Sequence, residues 1–382
     1  MNDTSIKLKS QRDQLTAWLT DYAYPLWARE GVDATNGGFV ELLDQQGNAI
    51  AKPRRARVQP RQIYSFAMAK QFGWQGDVKG IVERGMDYFV KHYRRDDGLF
   101  RTLCDVTGKA LDDRAFLYDQ AFALLSFASA ANVLESRPEY ESQALALRDA
   151  IQLQLKTHER GFISSDSLSN SGSDTRESNP HMHLLEACIA WSRIGNDSGW
   201  TSLVEELTNL AMSKFIQPNG ALKEFFTDDW QPAPGIPGRI VEPGHQFEWA
   251  WLLLQCNRND AQHRRDAALK LISIGESYGV RNGVAINALL DDLSIHDASA
   301  RCWCQTERIK AAVLAAQITG EDHYWSMAVN AVEGLQRYLN TPVNGLWLDN
   351  LQADGVLVDA PSPASSFYHI IAAIAQLDEG VR

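Results

Sequence analysis

Apolar residues recur along the chain at helical spacing, in stretches of roughly 11–18 residues, and glycine turns separate the stretches. The turns are Asn36-Gly37-Gly38-Phe39, Asp97-Gly98-Leu99-Phe100, Arg160-Gly161-Phe162-Ile163, Asn219-Gly220-Ala221-Leu222, Asn282-Gly283-Val284-Ala285 and Asn344-Gly345-Leu346-Trp347. Glycines 37, 98, 161, 220, 283 and 345 are 61, 63, 59, 63 and 62 residues apart. A spacing of this regularity marks a repeat architecture.

Each repeat carries one helical pattern before its turn and another after it. Helices before the turns are predicted over residues 6–29, 79–94, 139–157, 199–215, 262–279 and 321–338. Helices after them are predicted over 58–72, 116–134, 180–195, 245–257, 303–318 and 366–377. The second set is poorer in charge, as in Ala121-Phe122-Ala123-Leu124-Leu125 and Ala311-Ala312-Val313-Leu314-Ala315-Ala316. Helices apolar on all sides are buried, and amphipathic ones cover them. The polar stretches between turn and second helix have room for short β-hairpins. The expectation is an all-α fold in one domain, residues 1–382, with six helical hairpins closed into an (α/α)6 barrel. An open solenoid is the alternative. The most polar stretch, 164–178, falls inside a repeat and reads as a loop.

Composition changes the picture in four places. A chain of 382 residues, 45% hydrophobic and 22% charged, can build a large core. Its net charge is -11, and its one basic cluster, Arg54-Arg55-Ala56-Arg57, is too short for a nucleic-acid footprint. The start, Met1-Asn2-Asp3-Thr4, is polar, and no apolar run approaches the roughly 18 residues of a membrane span. Five cysteines, an odd number, with no CxxC at Cys302 and Cys304, point to reduced thiols. The expectation is a cytoplasmic protein, monomer or homodimer, with no nucleic-acid or membrane partner.

Unusual polar residues gather at the starts of the second-set helices. They are Arg57, Gln59, Arg61 and Tyr64; Tyr118, Asp119 and Gln120; Asn179, His181, His183 and Glu186; His245 and Glu248; Arg301, Trp303, Gln305 and Glu307; and Ser365, Ser366, Tyr368 and His369. In an alternating ring these starts share one mouth. Convergent polar groups on an aromatic lining make a small-molecule site. Helix N-termini there favour developing negative charge. Rings beside hydrogen-bonding groups suit a sugar. His245 and Glu248 share a face of one helical turn and form a proton-transfer pair. His183 stands in the same relation to Glu186, whereas His181 points elsewhere and reads as structural. Trp249 and Trp251 read as core. A metal held by His183, Glu186, His245, Glu248 and His369 is the rival, but no compact spacing such as HExxH is present, and no metal or other cofactor is expected. Asp119 and Glu248 are the carboxylates a glycoside hydrolase would use. A helical-repeat protein-binding scaffold is the remaining reading.

Four segments together resemble the N-acylglucosamine 2-epimerase family over essentially the whole chain. They are Arg61-Gln62-Ile63-Tyr64-Ser65-Phe66, Asn179-Pro180-His181-Met182-His183-Leu184-Leu185-Glu186-Ala187, Gly244-His245-Gln246-Phe247-Glu248-Trp249 and Tyr368-His369. The resemblance implies an (α/α)6 barrel and cofactor-independent proton transfer beside a sugar carbonyl. It implies His245 and His369 as the acid/base pair, with Arg61 near the reacting oxygens and Glu248 supporting His245. Asn179, His183, Glu186 and Glu307 then bind substrate, and Tyr118 and Trp303 form the pocket wall. Disaccharide epimerases of the family carry a Trp-bearing stretch before the last His, whereas this chain has Ala364-Ser365-Ser366-Phe367-Tyr368-His369. That ending, with Arg57-Val58-Gln59-Pro60-Arg61-Gln62, is most similar to the aldose–ketose isomerase branch acting on D-mannose. The implied reaction interconverts D-mannose and D-fructose, or sugars such as lyxose and xylulose, through a cis-enediolate. Sugar 2-epimerisation and a sulfoquinovose-type isomerisation are the alternatives.

Overall fold

The expected helices are all present in the computed structural model, which describes residues 3–157, 160–167, 175–256 and 261–382. Residues 168–174 of the expected loop, and residue 257 at the end of the expected helix 245–257, lie outside the described residues. Helix α1 occupies residues 3–31, α-helical over Asp3–Trp18, with π turns at Leu19–Ala23 and Trp27–Gly31. It is followed by α2 (Val58–Met68), α3 (Val78–Tyr93), α4 (Leu117–Val133), α5 (Arg137–Gln154) and α6 (Ser178–Ile194). Then come α7 (Gly199–Leu210, extended by a π turn at Ala211–Phe215), α8 (Pro243–Gln255), α9 (Ala261–Gly279), α10 (Cys302–Thr319), α11 (Asp322–Leu339) and α12 (Ala364–Val381). Pro243 opens α8, where a helix has no use for its first N–H. Gly320 closes α10 in the left-handed region. Helix α2 stops short of its expected end because the Trp74 N–H turns back to the Ala69 carbonyl at 3.2 Å. Helix α12 outruns its expected end, and Asp378 in its last turns pairs with Arg12 of α1 at 2.9 Å.

The even-numbered helices pack in sequence, α2 on α4, α4 on α6, α6 on α8, α8 on α10 and α10 on α12, and α12 packs back on α2. Each odd-numbered helix from α3 to α11 lies against the even-numbered helix before it, and α1 lies against α11 and α12. The seam between first and last repeats is aromatic. Trp27 stacks on Trp347 at 4.9 Å and Trp347 on Phe367 at 5.4 Å. Such pairs add about 0.5–1.5 kcal/mol beyond the area they bury. Across the same seam, Gln62 Nε2 donates to the Ala364 carbonyl at 2.7 Å.

A second, strand-level chain of contacts runs around the helix starts. Each even-numbered helix is entered through an extended segment that pairs antiparallel with the loop of the next repeat. Arg54–Arg55 pairs with Leu103–Cys104, Arg176–Glu177 with Phe225–Phe226, Ile240–Val241 with Ala288–Leu290, and Ala300–Arg301 with Asn350–Leu351. At α4 the pairing is a single bridge, Phe116 to Ser165. The last repeat pairs with the first, Ser362–Pro363 with Leu42–Leu43.

The period also has a side-chain cause. The turn glycines 37, 98, 161, 220, 283 and 345 all have positive φ, between 72° and 95°, which glycine adopts without a Cβ clash. Just past four of the turns, one residue's N–H and C=O are gripped by an amide from the next helix start. Gln59 grips Phe39, Gln120 grips Phe100, Gln246 grips Leu222 and Gln305 grips Ala285. In the last repeat the Ser362 hydroxyl does this for Trp347. In the third, His181 Nε2 accepts from the Phe162 N–H at 3.0 Å. His181 is therefore structural, as its direction on the helix predicts. Removing one clamp orphans a buried N–H and C=O, each costing about 1–3 kcal/mol. Gln246→Ala is expected to lower the thermal unfolding midpoint by several degrees in differential scanning calorimetry, and an unchanged midpoint contradicts the clamp.

Candidate active site

The first turns of the even-numbered helices enclose a cavity of about 250 Å³. It is lined by Arg61 (α2), Tyr118 (α4), Asn179 and His183 (α6), His245 and Glu248 (α8), Trp303 (α10), and Ser365, Ser366 and His369 (α12). The segments leading into these helices add Glu242, Arg301 and Asp349. The volume sits just below the roughly 300–1,000 Å³ of typical small-molecule sites, a size for one sugar ring.

His245 and His369 both face this space, with the Trp303 ring between them, 5.1 Å from one imidazole and 5.8 Å from the other. Each imidazole is held through Nδ1 by a carboxylate, which leaves Nε2 for the cavity. His245 Nδ1 lies 2.9 Å from Glu224 Oε2, and His369 Nδ1 lies 2.9 Å from Glu307 Oε1. The two nevertheless have opposite proton affinities. At His245, burial opposes the charged form, but Glu224 and Glu242 outweigh it and raise the pKa to about 9. At His369, burial is joined by the positive charges of Arg61 and Lys310, and the pKa falls well below its ordinary value. Near neutral pH the cavity thus holds one imidazolium and one neutral imidazole, the condition for an acid and a base side by side.

Glu248 does not hold His245 Nδ1 as expected from the helical spacing, although it adds to the charges that raise the His245 pKa. Glu224, from the loop after Gly220, takes that place. Glu248 lies on the cavity wall, 1% exposed, and neither of its oxygens receives a hydrogen bond from a described residue. Burial, with Glu307 nearby, pushes its pKa well up. Glu186 and Glu307, expected to bind substrate, lie behind the wall. Glu186 accepts from the Tyr368 hydroxyl and sits 3.3 Å from His183 Nδ1. Glu307 bridges His369 and Lys310. His183 stays neutral, its pKa lowered to about 3 by burial against the pull of Glu186.

Arg61 is the buried cation of the wall. It donates to the Tyr118 hydroxyl and, at 3.4 Å, to the Ser365 carbonyl, and its guanidinium lies 4.2 Å from the Phe122 ring centroid. Asn179 Oδ1 accepts no hydrogen bond from a described residue and remains for a ligand hydroxyl. Asp119 is removed from the wall: it is fully buried and paired with Arg57 at 2.9 Å. The two-carboxylate hydrolase arrangement of Asp119 and Glu248 therefore does not form.

Imidazoles and carboxylates gather below the wall in two triplets, His183, Glu186, Glu248 and Glu248, Glu307, His369, each within 4.8 Å. The positive charge at that place is the Lys310 ammonium, 2.6 Å from Glu307 Oε2. Lys310 thus supplies one positive charge against the carboxylates of this cluster.

Sequence reasoning missed Glu224, Glu242, Asp349 and Lys310. Two of these carried a signal. Glu224 and Asp349 stand four residues past their turn glycines, Gly220 and Gly345, in register with Glu41, Thr102, Ser165 and Asn287 of the other repeats.

A family model, N-acylglucosamine 2-epimerase (GlcNAc 2-epimerase), matches residues 37–373. A protein of Rhizobium meliloti (strain 1021) named mannose-6-phosphate isomerase is 43% identical over 97% of both chains. A Bacteroides fragilis cellobiose 2-epimerase is 24% identical over 93% of both. A solved structure titled D-mannose isomerase superposes with a TM-score of 0.85 over 97% of both chains at 21% identity, a likeness of fold.

Proposed function

We propose, from the premise that the chain belongs to the N-acylglucosamine 2-epimerase family, that it interconverts D-mannose and D-fructose, with His369 as base and His245 as acid. The observation that carries the reading is the pair of oppositely protonated imidazoles flanking one cavity of monosaccharide size. The relatives named mannose-6-phosphate isomerase and D-mannose isomerase support the aldose–ketose outcome. The contacts of α12 with α2 and of Ser362–Pro363 with Leu42–Leu43 support a single domain closed as an (α/α)6 barrel.

In the proposed cycle His245 first protonates the ring oxygen as the C1–O5 bond breaks, the C1 hydroxyl gives its proton to water to leave the aldehyde, and His245 is reprotonated from solvent. His369 Nε2 then takes the C2 proton while His245 gives its proton to O1, leaving a cis-enediol. Arg61, Tyr118 and the converging helix N-termini stabilise the negative charge that builds on the oxygens. His245 next takes the O2 proton, and His369 returns its proton to C1. Histidine suits both legs because small shifts move its pKa across working pH. Glu248 and Asn179 hold hydroxyls of the chain.

A neutral sugar fits this wall better than a phosphorylated one. Arg301 is committed to Glu242 at 3.1 Å, and Glu242 and Asp349 place carboxyl groups on the same surface. Five free, buried cysteines support a reducing, cytoplasmic setting, and no helix among the described residues is long and apolar enough to cross a membrane. The second reading is 2-epimerisation, which the His245 imidazolium favours if it delivers its proton to the other face of C2.

The test is product analysis by chromatography with mannose, mannose 6-phosphate, glucose and N-acetylglucosamine, each with EDTA present. Fructose from mannose is expected, with kcat/KM at least about tenfold above that for mannose 6-phosphate, a difference of roughly 1.4 kcal/mol. N-acetylmannosamine from N-acetylglucosamine, with no fructose from mannose, overturns the reading.

A further inference from the structure

We propose that Lys310 is a positioning residue that keeps His369 the base, because its ammonium holds the far oxygen of Glu307 and cancels the carboxylate charge that would otherwise keep a proton on the imidazole. The inference rests on the acid/base reading above.

Lys310 lies one turn below Glu307 on α10, and both are fully buried. Its Nζ is 2.6 Å from Glu307 Oε2 and 3.8 Å from the Trp251 ring centroid. The other oxygen, Oε1, is the one on His369 Nδ1. The cavity therefore contains two imidazole–carboxylate dyads that differ in what holds the carboxylate. Glu224, behind His245, takes its further hydrogen bond from the neutral Ser178 hydroxyl at 2.7 Å. Glu307, behind His369, takes a full positive charge. A carboxylate with a charge of its own to satisfy has less field left for the imidazole, and in a buried site that difference is poorly screened.

Of the other groups facing His369, Arg61 also disfavours its charged form, but only Lys310 acts on the carboxylate that holds Nδ1. From α2 comes the Arg61 guanidinium, and from α6 come Glu186 and the neutral His183 ring, 6.5 Å away. From α8 come His245 and Glu248. Tyr368 on its own helix is 4.8 Å away, and α1 reaches α12 at its far end, through Arg12 and Asp378. Arg61 is needed at the reacting oxygens, and the Glu186 carboxylate acts against a neutral imidazole. Lys310 is a cation near His369 with no place on the cavity wall. A buried ammonium is costly unless it is paired, and its task here is to act through Glu307.

The test follows the imidazole titration of His369 by 15N-histidine NMR, assigned with His369→Asn, in Lys310→Met and Lys310→Arg. In Lys310→Met the titration is expected to move up by about one pH unit or more, and in Lys310→Arg to stay near the wild-type position. The acid limb of kcat/KM for mannose moves up with it, in the same direction and by the same interval. An unmoved titration in Lys310→Met overturns the proposal. Where Lys310→Met does not fold, Glu307→Gln is compared with the Glu307→Gln/Lys310→Met double variant, which buries no unpaired carboxylate there. The double variant is expected to titrate higher, and coincident titrations overturn the proposal. The NMR readout needs no turnover, so a wild-type enzyme inert on mannose speaks against the proposed reaction and not against the role of Lys310.

Discussion

Replacing His369 with asparagine is expected to abolish turnover of mannose in both directions. A positioned acid or base is worth about 10²–10⁴ in rate, and His369 serves both proton transfers at carbon, so the upper end applies. Asparagine keeps an N–H for Glu307 Oε1, which otherwise loses its 2.9 Å partner in a buried place. The fold is therefore retained, with a thermal midpoint within a few degrees of wild type. Steady-state kinetics with mannose and with fructose, beside a melting curve, check this. A folded His369→Asn variant with more than about a tenth of wild-type kcat would refute the assignment, since no general base contributes so little.

The second large effect concerns His245. It must be protonated to act, and its pKa, lifted to about 9 by Glu224 and Glu242 against the cost of burial, keeps it so across neutral pH. Activity is expected to hold through neutrality and fall as pH rises through about 9. Glu224→Gln keeps an acceptor for Nδ1 but removes the larger of the two charges. The alkaline limb of kcat/KM then moves down by a unit or more, and activity at pH 8.5 drops about threefold or more, while activity near pH 6 changes little. His245→Asn loses the acid altogether, at a cost of about 10²–10⁴ at every pH. A Glu224→Gln profile superimposable on wild type would show that another group carries the alkaline limb.

The repeated helices were legible because their causes are local. A turn glycine at positive φ, an amphipathic stretch before it and an apolar one after it can each be read within some twenty residues. The same holds for His245 and His369, which stand at helix starts where a repeat places its polar groups. His181 was separable from His183 by direction alone, and the clamp it forms on Phe162 explains why a histidine stands where four other repeats have glutamine.

What failed to show was the shell behind the imidazoles. Helical spacing favoured Glu248 as the partner of His245, but a strand pairing brings Glu224 there from 21 residues away in sequence. Only the register of Glu224 and Asp349 behind their turn glycines hinted at it. Glu186 and Glu307 were readable as carboxylates on the right faces, but depth along the helix decides whether such a group touches substrate or holds a histidine. Lys310 follows Glu307 and Arg308 at the edge of an alanine-rich run, and nothing in that order of charges separates a buried lysine from a solvated one.

The most direct measurement is isomerisation of mannose in D2O, with the product examined by NMR before equilibrium. A neutral His369 that collects the C2 proton and hands it to C1 exchanges with solvent in between, so the expected product is fructose bearing a single deuterium at C1, on one face. A hexose labelled at C2 with C1 unlabelled, or fructose formed with no solvent deuterium at all, would contradict the account.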